Sequence, residues 1–185
     1  MALRVLSSGV DTLHLSARGA VRAAVWESLE AAKLEAQAAE EAVPFDFDLT
    51  GQAFLLKPHG LRGYAYWLSS PDCELLLGRS ERFPAALLQF HSAYLHSVGV
   101  GWAVDLVEQL LRLEVFVGRP ELVASRVDVY ADASGWNLEL GDLERFVCRG
   151  RARRGFVERE HAFTTGRRVT GFMFGRDAVV ARLYD

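Results

Sequence analysis

The sequence has little cysteine and proline. Its 185 residues include 2 Cys and 5 Pro, which excludes a disulfide scaffold and a collagen-like chain. Cys73 and Cys148 stand apart, with no CxxC spacing and no histidine at a zinc-finger interval. We therefore expect two free thiols in a reducing compartment and no structural zinc.

Long apolar runs without polar groups are also missing. The longest stretch without Asp, Glu, Lys or Arg is Phe83 to Val104, and Gln89, His91 and His96 interrupt it. So many polar groups would be costly in hydrocarbon. The N-terminal residues do not resemble a signal peptide, because Asp11 follows a very short apolar start. We expect no membrane partner and a cytoplasmic location.

Several catalytic motifs are absent. The sequence contains no P-loop, GxGxxG, GxSxG or HExxH, so ATP hydrolysis, dinucleotide binding and the common hydrolase mechanisms have no support. The five histidines form no ligand pattern, and we expect them to be strand or loop polar groups without a metal role; they are His14, His59, His91, His96 and His161.

What is present is an ordinary globular composition. Half of the residues are apolar, and 21 basic against 24 acidic residues give a net charge of −3. A chain of this length buries roughly 70% of the surface of its unfolded form, so its core can be stable without disulfide bonds. No linker composition interrupts the chain. We expect one domain over residues 1–185.

The hydrophobic periodicity alternates between two and 3.6 residues, which predicts an α+β fold. Helices are predicted over 20–42 and 100–117, and a short third helix begins at Asp142, a plausible N-cap. Strands are predicted over 11–17, 52–57, 63–69, 73–78, 85–96, 125–133 and 156–161, with a hairpin of 169–175 and 178–185. We expect a mainly antiparallel sheet with two to three helices packed on one face.

The strand over residues 125–132 carries the first chemical signal. Alternation places Arg126, Asp128, Tyr130 and Asp132 on one face, while the apolar face, with Val127, is expected to meet the helices. Two carboxylates, a guanidinium and a phenol suit a divalent-metal and phosphate site. The alternative is a solvated face of an antiparallel sheet.

Spacing limits how the two carboxylates can act. Strand positions four apart lie about 13 Å apart at about 3.3 Å per residue. Two Asp side chains bound to one ion span only about 11 Å. Without a bulge or a bridging water, Asp128 and Asp132 cannot both bind one ion directly. We therefore expect one direct ligand, with help from a neighbouring strand.

The C-terminal strand carries a second signal. Arg182 and Tyr184 lie two positions apart and share a face. A tyrosine can attack a phosphodiester when a metal polarises the phosphorus and a nearby group eases loss of the phenolic proton. The alternative is an ordinary strand aromatic with its hydroxyl at the rim of the sheet.

Positive charge is concentrated between Glu144 and Arg176. Nine arginines face three glutamates there, a local balance of +6 in a chain that is acidic overall. Such a patch suits a polyanion, because the forked donors of arginine match phosphate. The alternative is a solvated surface. The arginines are 145, 149, 151, 153, 154, 159, 167, 168 and 176.

Three motifs in order resemble the replication initiation factor family of rolling-circle plasmids, filamentous phages and integrative elements. Catalytic domains of that family carry an R-x-D-x-x-x-D strand and a later "fGsr…lRlYDk" hairpin. Here these stand as Arg126, Asp128 and Asp132, then as 174–176 (Phe-Gly-Arg) and 182–185 (Arg-Leu-Tyr-Asp). The Gln-Phe-His-Ser stretch at 89–92 is similar to the preceding strand of the family. The resemblance covers residues 83–185.

The resemblance implies a DNA nicking and joining enzyme with a palm-like fold related to relaxases and replication initiators. Tyr184 maps to the nucleophile, Arg182 would hold the scissile phosphate, and Asp128 and Asp132 map to acidic positions near Mg²⁺ or Mn²⁺. The partner would be origin DNA, single-stranded or cruciform, with a homodimer as one option for assembly.

DNA would be bound by arginines of the motif and of the basic segment. These are Arg126, Arg149, Arg151, Arg153, Arg154, Arg167, Arg168 and Arg176. On this hypothesis, the acidic strand and the Tyr184 phenol meet over one solvated surface.

The sequence departs from the family at its end. The lysine that follows the hairpin Asp and the downstream segment are absent, and the chain stops within a predicted strand. We therefore expect the N-terminal part of an initiator's catalytic domain. Two alternatives stay open: a truncated, non-catalytic relative that binds DNA or a partner protein and regulates replication, and a structural α+β domain with a solvated sheet face.

Overall fold

The computed structural model describes residues 3–47, 50–137 and 139, and the backbone of 161–165, 168–176 and 179–184. The chain divides into two compact units, one of Ser7–Asp132 and one of Met1–Leu6 with Ala133–Asp185. The architecture is α+β, as the sequence predicted. That residues 1–185 form a single domain stays a prediction.

The larger unit is built on a seven-stranded antiparallel sheet. Its strands are β1 Arg4–Arg18, β2 Val43–Phe47, β3 Gln52–Leu56, β4 Tyr66–Ser69, β5 Cys73–Leu77, β6 Ala86–Phe90 and β7 Glu121–Ser134. They lie in the order β2-β3-β4-β5-β6-β1-β7. The meander predicted from the turn residues between strands is confirmed for β3, β4 and β5. Pairing with β6 places β1 inside the sheet, next to β7.

Three helices pack on one face of this sheet. They are α1 Ala23–Ala39, α2 Ser92–Val98 and α3 Val100–Leu110, and a π-helical turn, Leu111–Val115, follows α3. Alternate strand residues such as Leu13 and Leu75 share one buried cluster with Leu29 of α1 and Val107 of α3. Every second strand residue is therefore buried and packs against the apolar faces of the helices, as predicted.

Several predicted boundaries are wrong: the strand predicted over 11–17 is Arg4–Arg18, the one predicted over 63–69 begins at Tyr66, and two more differ beside apolar runs. The strand predicted over 85–96 ends at Phe90, and α2 begins at Ser92, so His96 lies on a helix rather than on a strand or loop. The backbone N–H groups of Tyr94 and Leu95 donate to the carbonyl of His91, which starts the helix. A short apolar run fits a buried strand and a buried helix equally well. The helix predicted over 100–117 is α-helical from Val100 to Leu110, where the π-helical turn follows.

Strand β2 was not predicted, because Val43 and Pro44 read as the end of the preceding helix. β2 is the outermost strand on its side of the sheet. Proline cannot donate to a ladder, so it is tolerated on an edge strand. The position of Pro44 is therefore consistent with a strand that the periodicity did not indicate.

The apolar face of β7 does not meet the helices. Val127 and Val129 are 51% and 77% exposed. β7 is the other edge strand, and within it Leu122 is the residue that packs against the core. The helices do not cover this part of β7. The prediction that the apolar face of this strand packs against the helices is therefore wrong.

The smaller unit contains a three-stranded antiparallel sheet in the order β10-β9-β8. Its strands are β8 His161–Thr165, β9 Arg168–Arg176 and β10 Val179–Tyr184. The C-terminal hairpin is confirmed, with Arg182 opposite Met173 and Tyr184 opposite Gly171. The helix predicted from Asp142 and the strand residues 156–160 lie outside the described residues.

Among the described helices, none combines the length and the apolar character that crossing a bilayer requires.

Candidate functional site

A row of polar side chains crosses the face of the larger sheet that points away from the helices. Glu74 of β5 pairs in register with Gln89 of β6, and Gln89 pairs with His14 of β1. The next strand, β7, contributes Asp128, and the Thr12 hydroxyl of β1 lowers the pKa of its carboxyl. We call this surface, defined by His14, Glu74, Gln89 and Asp128, the polar face.

At the β7 end of the polar face, Arg126 forms an ion pair with Asp128. Its Nε donates to Oδ1 and Oδ2 of Asp128 at 3.0 and 3.1 Å, and its Nη2 donates to Oδ2 at 2.5 Å. The hydrogen bonds from Arg126 lower the pKa of the Asp128 carboxyl, and the charge of Arg126 and the Thr12 hydroxyl act in the same direction. Two residues of the predicted motif are therefore in contact.

At the centre of the polar face, Arg62 contacts Gln89. Nη1 of Arg62 donates to Oε1 of Gln89 at 3.2 Å. This contact fixes the orientation of the amide and leaves Nε2 of Gln89 buried, without a hydrogen-bond partner among the described residues. A buried donor without a partner is rare, because it has lost its hydrogen bonds to water.

Arg62 occupies the tip of a tight turn between β3 and β4. The backbone groups of Leu61 and Tyr64 exchange two hydrogen bonds, of 3.1 and 2.9 Å, around Arg62 and Gly63. Both central residues have positive φ, 52° for Arg62 and 86° for Gly63. Such turns favour Asn or Gly at these positions. A left-handed non-glycine residue costs on the order of 1–3 kcal/mol, so the turn holds Arg62 in a strained conformation.

His14 is within electrostatic range of both guanidiniums, those of Arg126 and Arg62. Burial lowers the pKa of its imidazole, and the positive charges of Arg126 and Arg62 lower that pKa further, while Asp128 acts in the opposite direction. The lowered pKa favours the neutral ring, in which one nitrogen donates a hydrogen bond and the other accepts one. His14 was expected to be an ordinary strand polar group.

At the β5 end of the polar face, Glu74 has two partners. Nε1 of Trp67 donates to its Oε2, and Nε2 of His91 lies 3.5 Å from its Oε1. Lys57 stacks over the Trp67 ring, with Nζ 5.7 Å from the centroid. Both oxygens of the Glu74 carboxylate therefore have a neighbour, Trp67 for Oε2 and His91 for Oε1.

Tyr130 has a different set of neighbours. Its hydroxyl lies 3.0 Å from Oγ of Ser7, and its ring stacks on His96 of α2 at a centroid distance of 4.8 Å. Nε2 of His96 lies 3.7 Å from Oδ1 of Asp11. The structure therefore brings Arg126 and Asp128 together and places Tyr130 in a separate cluster beside α2.

The described residues do not fit a divalent-cation site at the motif. Both oxygens of Asp128 are engaged by Arg126, and Asp132 is exposed. Throughout the described part of the chain, no group of three or more His, Cys, Asp or Glu could hold a metal ion. The use of Mg²⁺ or Mn²⁺ stays a prediction.

The remaining predicted residues belong to the smaller unit. Arg182 and Tyr184 lie in β10, two positions apart in a regular ladder, so they share a face of the hairpin. Arg168 and Arg176 are the terminal residues of β9. Arg149, Arg151, Arg153, Arg154 and Arg167 lie outside the described residues. A meeting of Tyr184 with Asp128 stays a prediction.

Comparisons with protein-family models, with curated proteins and with solved structures each give no match to this chain.

Proposed function

We propose that the chain binds DNA in the manner of a rolling-circle replication initiator, with the polar face of the larger sheet against the phosphate backbone. One observation carries this proposal. Arg126 and Asp128, which belong to the motif of the resemblance, lie on the same sheet face as His14 and as a second guanidinium, that of Arg62.

Electrostatics supports a polyanion as the ligand. The chain is acidic overall, with a net charge of −3, yet nine arginines lie between residues 144 and 176, and the polar face carries Arg62, which no carboxylate of the described chain contacts. Guanidinium groups match phosphate oxygens with two parallel donors. Binding of this kind releases counterions from DNA and therefore weakens steeply with salt.

The enzymatic form of the proposal is strand nicking by Tyr184. Its phenolic oxygen would form a bond to phosphorus, one sugar–phosphate bond would break, and the released sugar oxygen would take up the phenolic proton. Arg182 would hold the phosphate, and its position on the same face of β10 as Tyr184 supports this role. The resemblance of the hairpin motif is the basis for the assignment.

A second candidate is a relative that binds DNA without cutting it and so regulates an intact initiator. The ion pair between Arg126 and Asp128 favours this candidate, because a carboxylate held by three hydrogen bonds has reduced capacity to bind a cation.

The two candidates differ in one assay. Supercoiled plasmid and single-stranded DNA are incubated with the protein and Mn²⁺, and nicked DNA is separated under denaturing conditions to reveal covalent adducts. The nicking enzyme gives an adduct that Tyr184→Phe abolishes and that the control Tyr94→Phe retains. An adduct that survives in Tyr184→Phe moves the nucleophile to Tyr130 or outside this chain. DNA binding without an adduct supports the regulator, and no DNA binding contradicts the proposal.

A further inference from the structure

We propose that His14, Arg62 and Gln89 form a binding site for one phosphate group of single-stranded DNA, at the centre of the polar face. The inference rests on the proposed DNA-binding function and names the residues through which the larger unit would contact the backbone. None of the three belongs to the arginine and aspartate motif of β7.

The first support is the unused donor of Gln89. The side chain lies between His14 on one neighbouring strand and Glu74 on the other. Its Oε1 is occupied by Arg62, and its Nε2 is buried without a partner among the described residues. A rotation of the amide towards the surface would let a phosphate oxygen accept from Nε2 and complete the hydrogen bonding of the amide.

The second support is the uncompensated charge of Arg62. Within the described chain, Arg62 forms no ion pair, and the contact of its Nη1 is with the neutral amide of Gln89. Arg126, in contrast, is neutralised by Asp128. A guanidinium has five donors, so Arg62 retains enough of them to bind a phosphate in a bidentate manner.

The carboxylates near the site are already neutralised or held. Asp128 bonds to Arg126, and Glu74 bonds to Trp67 with His91 at 3.5 Å. Neither carboxylate contacts Arg62 in the described chain. Arg126 and Arg62 both act as positive charges on His14, and the charge of Arg62 is the one that no carboxylate of the described chain contacts, which favours an anion.

His14 couples the site to pH. The charged groups that face it are Arg126, Arg62 and Asp128, with Glu74 and His91 farther along the polar face. Burial and the two guanidiniums keep its pKa below 6.5 in the free protein. A phosphate beside the ring would favour the imidazolium and raise that pKa, so binding takes up a proton and tightens as the pH falls through this range.

The test variant is Arg62→Asn, because asparagine tolerates positive φ and removes the charge without disturbing the turn. Affinity for an oligothymidylate should fall about tenfold, and the slope of log affinity against log salt should fall by about 0.7, the value for one phosphate of a single strand. Arg119→Asn is the matched control, since Arg119 pairs with Glu108 of α3 on the helix side. It should leave both quantities unchanged.

A second readout follows the His14 ring by NMR while the pH is varied, with oligothymidylate and with inorganic phosphate in separate titrations. The site as proposed requires the oligothymidylate to raise the His14 pKa in the wild type and not in Arg62→Asn. A rise with inorganic phosphate and none with oligothymidylate overturns DNA as the ligand.

The failures of the two proposals are distinguishable. If the wild type binds oligothymidylate and Arg62→Asn binds it with the same affinity and salt slope, this site is wrong while DNA binding stands. If the wild type binds no DNA, the proposed function is wrong, and the phosphate site proposed here is wrong as well.

Discussion

The guanidinium of Arg62 donates to Oε1 of Gln89 at 3.2 Å, joining two residues that are 27 positions apart in the chain. The contact links the turn before β4 to the middle of the sheet and leaves the amide nitrogen of Gln89 without a partner in the described chain. Arg62 makes this contact from a left-handed conformation that suits asparagine better. The arrangement therefore gives up some stability at the place where we expect binding.

We expect Arg62→Asn to stabilise the fold while it weakens DNA binding. The gain in the free energy of unfolding should be about 0.5–1 kcal/mol, because asparagine relieves part of the left-handed strain. Urea denaturation of the wild type and the variant measures the difference. A loss of more than about 1 kcal/mol would show that the Arg62 contacts stabilise the turn more than its backbone strains it.

The ion pair between Arg126 and Asp128 should contribute little to stability. Both side chains are substantially exposed, at 56% and 41%, and exposed pairs contribute about 0.2–1 kcal/mol. Because the folded-state pKa of Asp128 is lowered, the contribution is present above pH 3.8 and is lost as the pH falls through that lowered pKa. Unfolding curves of Arg126→Gln and the wild type should differ slightly at pH 7 and converge in acid; a difference that persists at low pH contradicts this account.

His14 should make the fold less stable in mild acid. Its folded-state pKa is lowered, so the unfolded chain takes up the proton first, and stability present above pH 6.5 is lost as the pH falls through the folded-state value. His14→Gln should flatten the pH dependence of the melting temperature below pH 6.5. Replacement of the exposed His59 by Gln is the control and should leave the slope unchanged. Equal slopes in all three proteins would contradict the assignment to His14.

Cys73 should be unreactive in the folded protein. Burial, with opposition from a hydrogen bond of Ser70, raises the pKa of its thiol to about 12, so the thiolate is scarce at neutral pH. Alkylation by iodoacetamide, followed by mass spectrometry of the peptide that contains Cys73, should be slow in native buffer and fast in denaturant. Rapid labelling of the native protein would show that the thiol is accessible.

The fold class could be predicted because it depends on local periodicity. The 3.6-residue spacing between 20 and 42 indicated α1, and the turn residues Arg176 and Asp177 indicated the hairpin of β9 and β10. Local periodicity gave wrong predictions where the structure of a segment depends on residues that are distant in the sequence. The run after Ala85 suited both a strand and a helix, and the coverage of β7 depended on where the helices end in space.

The candidate site was less predictable than the fold. Arg126 and Asp128 were found because they alternate on one strand, so their contact is local. His14, Arg62 and Gln89 come from three separate segments, and they become neighbours through the pairing of β1 with β6 and through one turn. Strand order is set by long-range packing, which a single sequence does not display. The one local signal was an arginine directly before Gly63, in a position where a turn requires positive φ.

Equilibrium binding of the unmodified protein to a single-stranded oligonucleotide, measured by fluorescence anisotropy over a series of salt concentrations, tests the central claim most directly. The account predicts binding whose affinity falls linearly with salt on logarithmic axes, with a slope of about −0.7 for each phosphate contacted. Absence of binding at low salt, or an affinity that does not change with salt, would contradict it.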